Sequence, residues 1–586
     1  MRILLIRPED VLLDGPWAAS KWDRVVDLGR GGLHSYSEAA SRLGSPISYL
    51  DQFREEYREI RRTRDLLGLG RNRLKDSCDL DWWQLLSIEV HQQLETTILL
   101  EHLAKTIAAH DEIWVSGPGF HAEALALILE HRLNTFPAGT PSRGIGHYLR
   151  TFQKLPFRQL EEIFWDKTDA GYEYRSFLSS KPSPQQHDLV LLPSAYVNVS
   201  KTGAAYANTV PDLKFLLVVT RRSGWVKNLP PNVSANWLSS YAGSRSPRRK
   251  AEFADLVLRW QALRRELEDV PEFRTISKCN IFDVFDYYFA HGLGIRDAWR
   301  NVLDAEPVKA VLCADDSNPF THIPLLLAKK RGLPTISCHH GALDGRCLVK
   351  ECHADVIFAK GKMEQDYLTR LCSVPTEKVV IAAPTLQSTP SHRKYDEDRR
   401  YVVFFSELYE TTGGRAQDTY ADVLPQLLKV ARREKRRLII KLHPAESESE
   451  RRNIIKSILD SAQYKDLRII TGPLEPELLN KTWFGITVLS TVVLECALRG
   501  VPCFLCKWLE SSPYGYVDQF VRFEVGIPLH HPDEIIEAAR YLRTSKPCTR
   551  NEVYWAEADS VLLKRLLGAH ETNTNIVDAS KMRSSA

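Results

Sequence analysis

The chain has 586 residues, too many for one compact core, so two or three domains are expected. Charged residues make up 26% and apolar residues 44%, an ordinary soluble composition with no low-complexity tract and no internal repeat of 20–50 residues. Its 78 basic and 74 acidic side chains leave a formal charge of +4, which argues against a dedicated nucleic-acid binder.

The apolar run at residues 1–6 stops at Arg7, Pro8, Glu9 and Asp10, too short for a secretion signal. No stretch approaches the roughly 18 apolar residues that a membrane span needs. The 11 scattered cysteines are odd in number and read as buried thiols rather than a disulfide framework. Cys503 and Cys506 have CxxC spacing, but in a strand positions three apart point to opposite faces, so a redox pair is not expected. Cytoplasmic location follows as an expectation. Basic clusters at Arg221-Arg222, 245–250 and 432–437 add the expectation of a peripheral contact with anionic membrane.

In chain order, β-type runs occur at 3–6, 24–28, 112–116, 188–192, 214–219, 310–313 and 334–337. Polar helical segments are expected at 50–67, 82–109 and 251–267 between them. A polar, charged loop at 388–399 reads as a hinge. Beyond it strands are expected at 400–406, 437–443, 467–471, 484–489 and 502–506, with helices at 418–435 and 448–459 between the first three. Strands of this length alternating with helices predict parallel βαβ units, buried on both faces. The fold class is therefore α/β: an N-terminal Rossmann-like acceptor domain with helical insertions at 1–390, and a C-terminal Rossmann-like donor domain at 398–545. A C-terminal helix at 546–568 and a polar tail at 569–586 complete the expected layout.

Strand ends are where open parallel sheets hold ligands, and most of the candidate residues lie there. Lys441, Leu442, His443 and Pro444 close one strand, with His443 placed to donate to a phosphate. Ser490 and Thr491 open a helix, a position suited to an anion, and Glu495 shares a face with Thr491. Because Val492, Val493, Leu494 and Cys496 flank it in sequence, Glu495 is expected to need a polar partner such as ribose hydroxyls. Ser406 and Glu407, followed by Gly413-Gly414, could reach a nucleotide base or phosphate, or form a plain βα loop.

Cys338, His339, His340 and Gly341 follow another strand, and His340 suits general-base work on a hydroxyl; a structural histidine pair is the alternative. Nearby Cys347, Cys352 and His353 match no standard zinc spacing. Asp315 and Asp316 could assist proton transfer, or simply sit in the capped first turn of a helix at Ser317-Asn318. Tyr196, Asn198 and Ser200 end a further strand and are the expected acceptor contacts. Ser116-Gly117-Pro118-Gly119 lacks the GxGxxG order of a dinucleotide loop.

Over roughly 310–542, these residues resemble bacterial glycosyltransferases of GT-B architecture, two Rossmann-like domains facing across a cleft. Ser490 to Pro502 is similar to the donor helix of that superfamily, which implies a ribose contact for Glu495. His443-Pro444 resembles the His-Pro motif of sialyltransferases and capsule-building enzymes, and His340-Gly341 the His-Gly of the polyglycerolphosphate transferases that build teichoic acids. The resemblance implies a metal-independent, inverting glycosyltransferase of cell-surface polysaccharide assembly, with no cofactor beyond the nucleotide-sugar donor. His340 or Asp316 would be the base, and His443 would stabilise the leaving phosphate. Glu407, Lys441, Pro444, Ser490 and Thr491 would complete the donor site for a glycan or lipid-linked acceptor. A CDP-glycerol-type polyol-phosphate transferase, a sugar-nucleotide 2-epimerase and a non-catalytic scaffold share these features and stay open at this stage.

Overall fold

In the computed structural model, the described residues are 1–13, 15–29, 36–55, 57–136, 187–242, 247–385, 399–411, 414–444, 446–510, 514–542 and 551–568. Most of the expected hinge at 388–399, Gly413, Arg245 and the tail at 569–586 lie outside them.

Three parallel sheets carry the described strands, which establishes the α/β class. The residues read as one N-terminal domain, 1–390, carry two of them. The first sheet has five strands in the spatial order Ile47–Tyr49, Arg24–Asp27, Arg2–Ile6, Glu112–Val115, Asn134–Thr135. The second has seven: Val379–Ile381, Val356–Ala359, Thr335–Cys338, Val308–Cys313, Leu189–Ser194, Lys214–Val219, Val233–Trp237. The third has six: Leu467–Ile470, Arg437–Lys441, Tyr401–Phe405, Thr482–Thr487, Cys503–Cys506, Ile527–Leu529.

In each sheet the chain winds outward one way, returns to the middle and winds out the other way. That is Rossmann-like winding, with a switch point between its two central strands. The chain divides into two compact units. One comprises 1–60, 93–139 and 389–554, with the five- and six-stranded sheets; the other comprises 61–92, 140–388 and 555–586, with the seven-stranded sheet.

The six-stranded sheet is nearly continuous apolar sequence because both faces are covered. Phe404, Leu438, Ile440, Phe484, Ile486 and Phe504 are all at most 1% exposed and pack with Tyr420, Leu424 and Leu427 of the helix Ala416–Arg433. Gly485 sits in its central strand, where an added Cβ would lie 2.7 Å from the Phe405 ring, so only hydrogen fits. Cys503 and Cys506 are both buried free thiols.

The segment expected as a polar helix at 82–109 is instead broken and largely buried. It forms Trp82–Leu86, a 3-10 turn at Ser87–Glu89 and His91–Ala104. Trp82 and Trp83 are completely enclosed, and Trp83 packs 6.0 Å from Trp260 and 5.9 Å from Phe273. The polar side chains that dominate the local sequence were a poor guide, because aromatic burial decides where the segment lies. The helix expected at 50–67 likewise divides into Leu50–Phe53 and Arg58–Gly68, with Tyr57 at φ 64° between them. After Tyr554 the chain joins the seven-stranded sheet, where Leu563, Leu566 and Leu567 of Ser560–Gly568 enter its core.

Candidate functional site

At the switch point of the seven-stranded sheet the strands Leu189–Ser194 and Val308–Cys313 lie side by side, and their trailing loops bring chemistry together. The Tyr196 hydroxyl donates to Asp315 Oδ2 at 2.5 Å and lies 3.1 Å from His340 Nδ1 and 3.4 Å from Nε2. The tyrosine and imidazole rings meet edge to face, centroids 5.1 Å apart. Desolvation in this crowded setting lowers the His340 pKa and keeps the ring neutral, while burial and the adjacent Asp315 raise that of Tyr196. The same loop holds His339, whose Nδ1 accepts from the Gly341 amide at 3.2 Å. Lys360 fixes the turn from below by donating to the carbonyls of His339 at 2.5 Å and Gly341 at 2.7 Å.

Asp316 is not part of this cluster. Its carboxylate takes a hydrogen bond from Lys350, whose Nζ also donates to Ser317 Oγ at 2.7 Å and Asp344 Oδ2 at 2.6 Å. Burial works against every charge here, yet Lys350 and the other cations beside it hold the Asp344 carboxyl well below its ordinary range. Buried and bonded to Lys350, this carboxylate frames the loop, and the base assignment to Asp316 is corrected to a structural one. Its neighbour Asp315 takes the place beside His340. Sequence marked both aspartates, but only the path of the loop decides which one turns towards the histidine.

The acceptor triplet separates similarly. Tyr196 is half-buried and faces His340, and Asn198 is exposed. Ser200 is fully buried, its hydroxyl donating to the Gly224 carbonyl at 2.5 Å and paired with Ser194 Oγ at 2.7 Å. It ties the helix Val197–Thr209 to the turn at Gly224 and is not placed as a ligand contact.

The six-stranded sheet has its switch point between Tyr401–Phe405 and Thr482–Thr487. Here Glu407 reaches across and its Oε1 accepts from Thr487 Oγ1 at 2.5 Å and the amides of Val488, Leu489 and Ser490 at 3.0, 2.9 and 3.0 Å. An internal carboxylate thus takes the amides that lead into the helix start, that of Ser490 among them. The helix itself, Val492–Leu498, has seven residues, and its first amide is satisfied by Ser490 Oγ at 3.3 Å. Glu407 is accordingly a loop clamp, its pKa raised chiefly by desolvation.

Lys441 is also occupied, donating to the carbonyls of Leu442 at 2.7 Å and Gly472 at 2.6 Å. Next to it His443 and Pro444 are exposed at the strand end. Desolvation and the Lys441 charge lower the His443 pKa. Glu495 lies on the open face of its helix, 50% exposed, with Arg499 Nη1 at 3.9 Å. Its apolar sequence neighbours are buried on the other side of the helix, so the argument that it needs a polar partner fails. Thr491 is half-buried on the same helix start.

A network with no motif of its own in the sequence supports His443. Glu446 Oε2 accepts from the His443 amide at 2.6 Å, while its Oε1 accepts from Ser406 Oγ at 2.8 Å and Arg451 Nε at 2.7 Å. Arg451 forms two further bonds of 2.7 Å with Glu410. Spacing gave a partial signal, since Glu446 lies three residues after His443 at a turn. Nothing local identifies Arg451 or Glu410.

In the five-stranded sheet, Ser116 to Gly119 forms no open phosphate loop. A Cβ at Gly117 would lie 2.6 Å from the Arg7 guanidinium, and Arg7 is itself held by Asp10 at 2.7 Å. Among the described residues no group of three or more acidic, histidine or cysteine side chains could hold a metal ion. Nor is any described helix long and apolar enough to cross a membrane.

No protein-family model matches the chain, and no curated protein matches it. Several solved structures are similar at a distance. A UDP-GlcNAc 2-epimerase from Methanocaldococcus jannaschii is 13% identical, covering 65% of this chain and 99% of its own at a TM-score of 0.43. The calicheamicin glycosyltransferase CalG4 is 11% identical, with 69% and 100% covered and a TM-score of 0.36. MurG from Acinetobacter baumannii is 10% identical, with 65% and 99% covered and a TM-score of 0.36. At such values these likenesses carry no argument about the reaction.

Proposed function

We propose that the protein is a glycosyltransferase that moves a sugar from a nucleotide-sugar donor to an acceptor hydroxyl in cell-surface polysaccharide biosynthesis. The observation that carries this reading is the contact of His340 with Tyr196, itself bonded to Asp315, at a sheet switch point. With the phenol proton directed at Asp315, the phenol oxygen can accept from His340 Nδ1–H, which leaves a lone pair on Nε2. A neutral imidazole in that tautomer is suited to take the proton of an acceptor hydroxyl as it attacks the anomeric carbon.

His443, exposed at its strand end and braced through its own amide by Glu446, is the proposed contact for the departing phosphate. Thr491 and Glu495 are the proposed contacts for the rest of the donor, and Asn198 for the acceptor. Attack opposite the leaving group inverts the anomeric centre, and the scheme draws on no cofactor beyond the donor. The GT-B resemblance of the sequence supports this assignment, as does the shared winding of the six- and seven-stranded sheets.

The test is binding, then turnover. A panel of UDP, GDP, CMP and CDP with their sugar conjugates is titrated by calorimetry into the wild type, His443→Ala and Glu495→Ala. One nucleotide class should bind the wild type and be weakened by both substitutions. Absence of binding by every member would overturn the reading. Bound donor converted to its epimer without an acceptor would replace transfer by epimerisation.

A further inference from the structure

A cavity of about 30 Å³ lies in the unit that carries the seven-stranded sheet, walled by residues from 61–92 on one side and by residues 316–353 on the other. A single water needs roughly 10–15 Å³ measured this way, so the space suits a group the size of two or three waters. His322 is only 7% exposed, lines this cavity, and its Nε2 has no hydrogen-bond partner among the described residues. The His353 ring lies beside it, centroids 5.2 Å apart. Burial, then the neighbouring His353 and Lys350, hold His322 far below its ordinary pKa, so it is a neutral ring.

The charged groups in the lining are already paired. Arg71 binds Glu351 at 2.5 Å, and Lys350 is held by Asp316 and Asp344. An anion would find no uncommitted cation and a cation no uncommitted carboxylate. A hydroxyl, which both donates and accepts, matches a neutral imidazole in either tautomer. Ser87 adds a second hydroxyl-bearing residue to the lining, while Leu67, Ile88 and Val349 give apolar wall for C–H groups.

We propose that this cavity is a second binding pocket, for the hydroxyl-bearing end of an uncharged polyol or sugar, recognised by His322 Nε2. Its use as an acceptor subsite rests on the function proposed above, but the binding itself does not. Asp316, Ser317 and Lys350 line the pocket and also hold the loop that carries Asp315, so an occupant would touch the frame of the His340 cluster without reaching its reacting atoms.

The experiment labels histidine Cε1 with carbon-13 in the full chain and titrates it with glycerol, ribitol and inorganic phosphate. The His322 resonance is assigned by its loss in His322→Gln. A saturable shift with a polyol is expected, weakened at least tenfold in Ser87→Val, which narrows the opposite wall and leaves the imidazole in place. If Ser87→Val does not fold, Ile88→Phe narrows the cavity instead. No saturable shift with either polyol, a response to phosphate alone, or a shift unchanged in the narrowed variant would overturn the proposal. Because the readout is binding at His322, failure of the nucleotide panel and failure here are separate results.

Discussion

Tyr196 bridges Asp315 and His340, and its single hydroxyl determines what each can do. Replacing it with Phe leaves the edge-to-face contact but removes both hydrogen bonds. On the proposed mechanism, the transfer rate should fall about ten- to a hundredfold, roughly 1.4–2.7 kcal/mol in the barrier, with donor affinity unchanged. Steady-state kinetics with separate donor and acceptor titrations would check this. If His340 is the base as proposed, its lowered pKa should place the acid limb of the rate profile below the ordinary histidine range, with a plateau through neutral pH. A stability effect is expected instead at Lys350. Lys350→Met leaves Asp316 and Asp344 buried without their cation, which should cost about 3–5 kcal/mol in chemical denaturation. The double variant with Asp316→Asn should recover part of that loss, because one buried charge is removed. If Asp316 were a base rather than a strut, its variant would lose activity at wild-type stability.

At the scale of the element, Glu407 gathers four donors from the end of the strand Thr482–Thr487 and the loop after it, and fixes how the next helix is entered. Glu407→Ala leaves three amides without their acceptor, a cost of about 1–3 kcal/mol. Hydrogen exchange should accelerate at Val488, Leu489 and Ser490 before it does in the strands. Glu407→Gln keeps an acceptor oxygen and should show the smaller effect. Elements also differ in how well local sequence foretold them. All twelve strands expected from apolar runs are present, to within two or three residues at either end. The strands absent from that reading include Ile47–Tyr49, Asn134–Thr135, Val233–Trp237, Val379–Ile381 and Ile527–Leu529, all of them at sheet edges. An edge strand has one pairing neighbour and a more exposed face, so its sequence carries a weaker apolar run. Only the adjacent strand decides that such a segment is extended.

Across the whole molecule, folding returns distant segments to one another. Asp27, at the end of a strand in the five-stranded sheet, pairs with Arg415 at 2.7 Å, and Arg415 also lies 3.4 Å from Asp418. Burial raises the Asp418 pKa from 3.8 to about 6. A raised folded-state pKa means that protonation favours the native state. This contribution is complete below about pH 4 and is lost as pH rises through about 6, up to roughly 3 kcal/mol. Asp418→Asn should therefore flatten the stability profile between those values, as followed by denaturation at a series of pH values. The C-terminal segment gives a second expectation. Truncation after Tyr554 removes Leu563, Leu566 and Leu567 from the core of the seven-stranded sheet. The shortened chain should bind a hydrophobic dye and be cleaved faster by protease in that unit, whereas an unchanged digestion pattern would show that the helix is dispensable.

Sequence alone determined the α/β class, the central strands and the strand-end loops that carry His340, His443 and Tyr196. Those features follow from local runs of apolar residues and from the rule that parallel sheets present ligands at their carboxyl ends. Tertiary structure alone decided that residues 1–390 carry two sheets, that Asp315 and not Asp316 meets the histidine cluster, and that Glu407 clamps the amides leading into the helix Val492–Leu498. It also decided that Glu495 is open to solvent while its sequence neighbours are buried. In each case the deciding quantity is which groups share a few ångströms of space, and residues 388 positions apart in the chain, such as Asp27 and Arg415, meet only when the sheets are assembled.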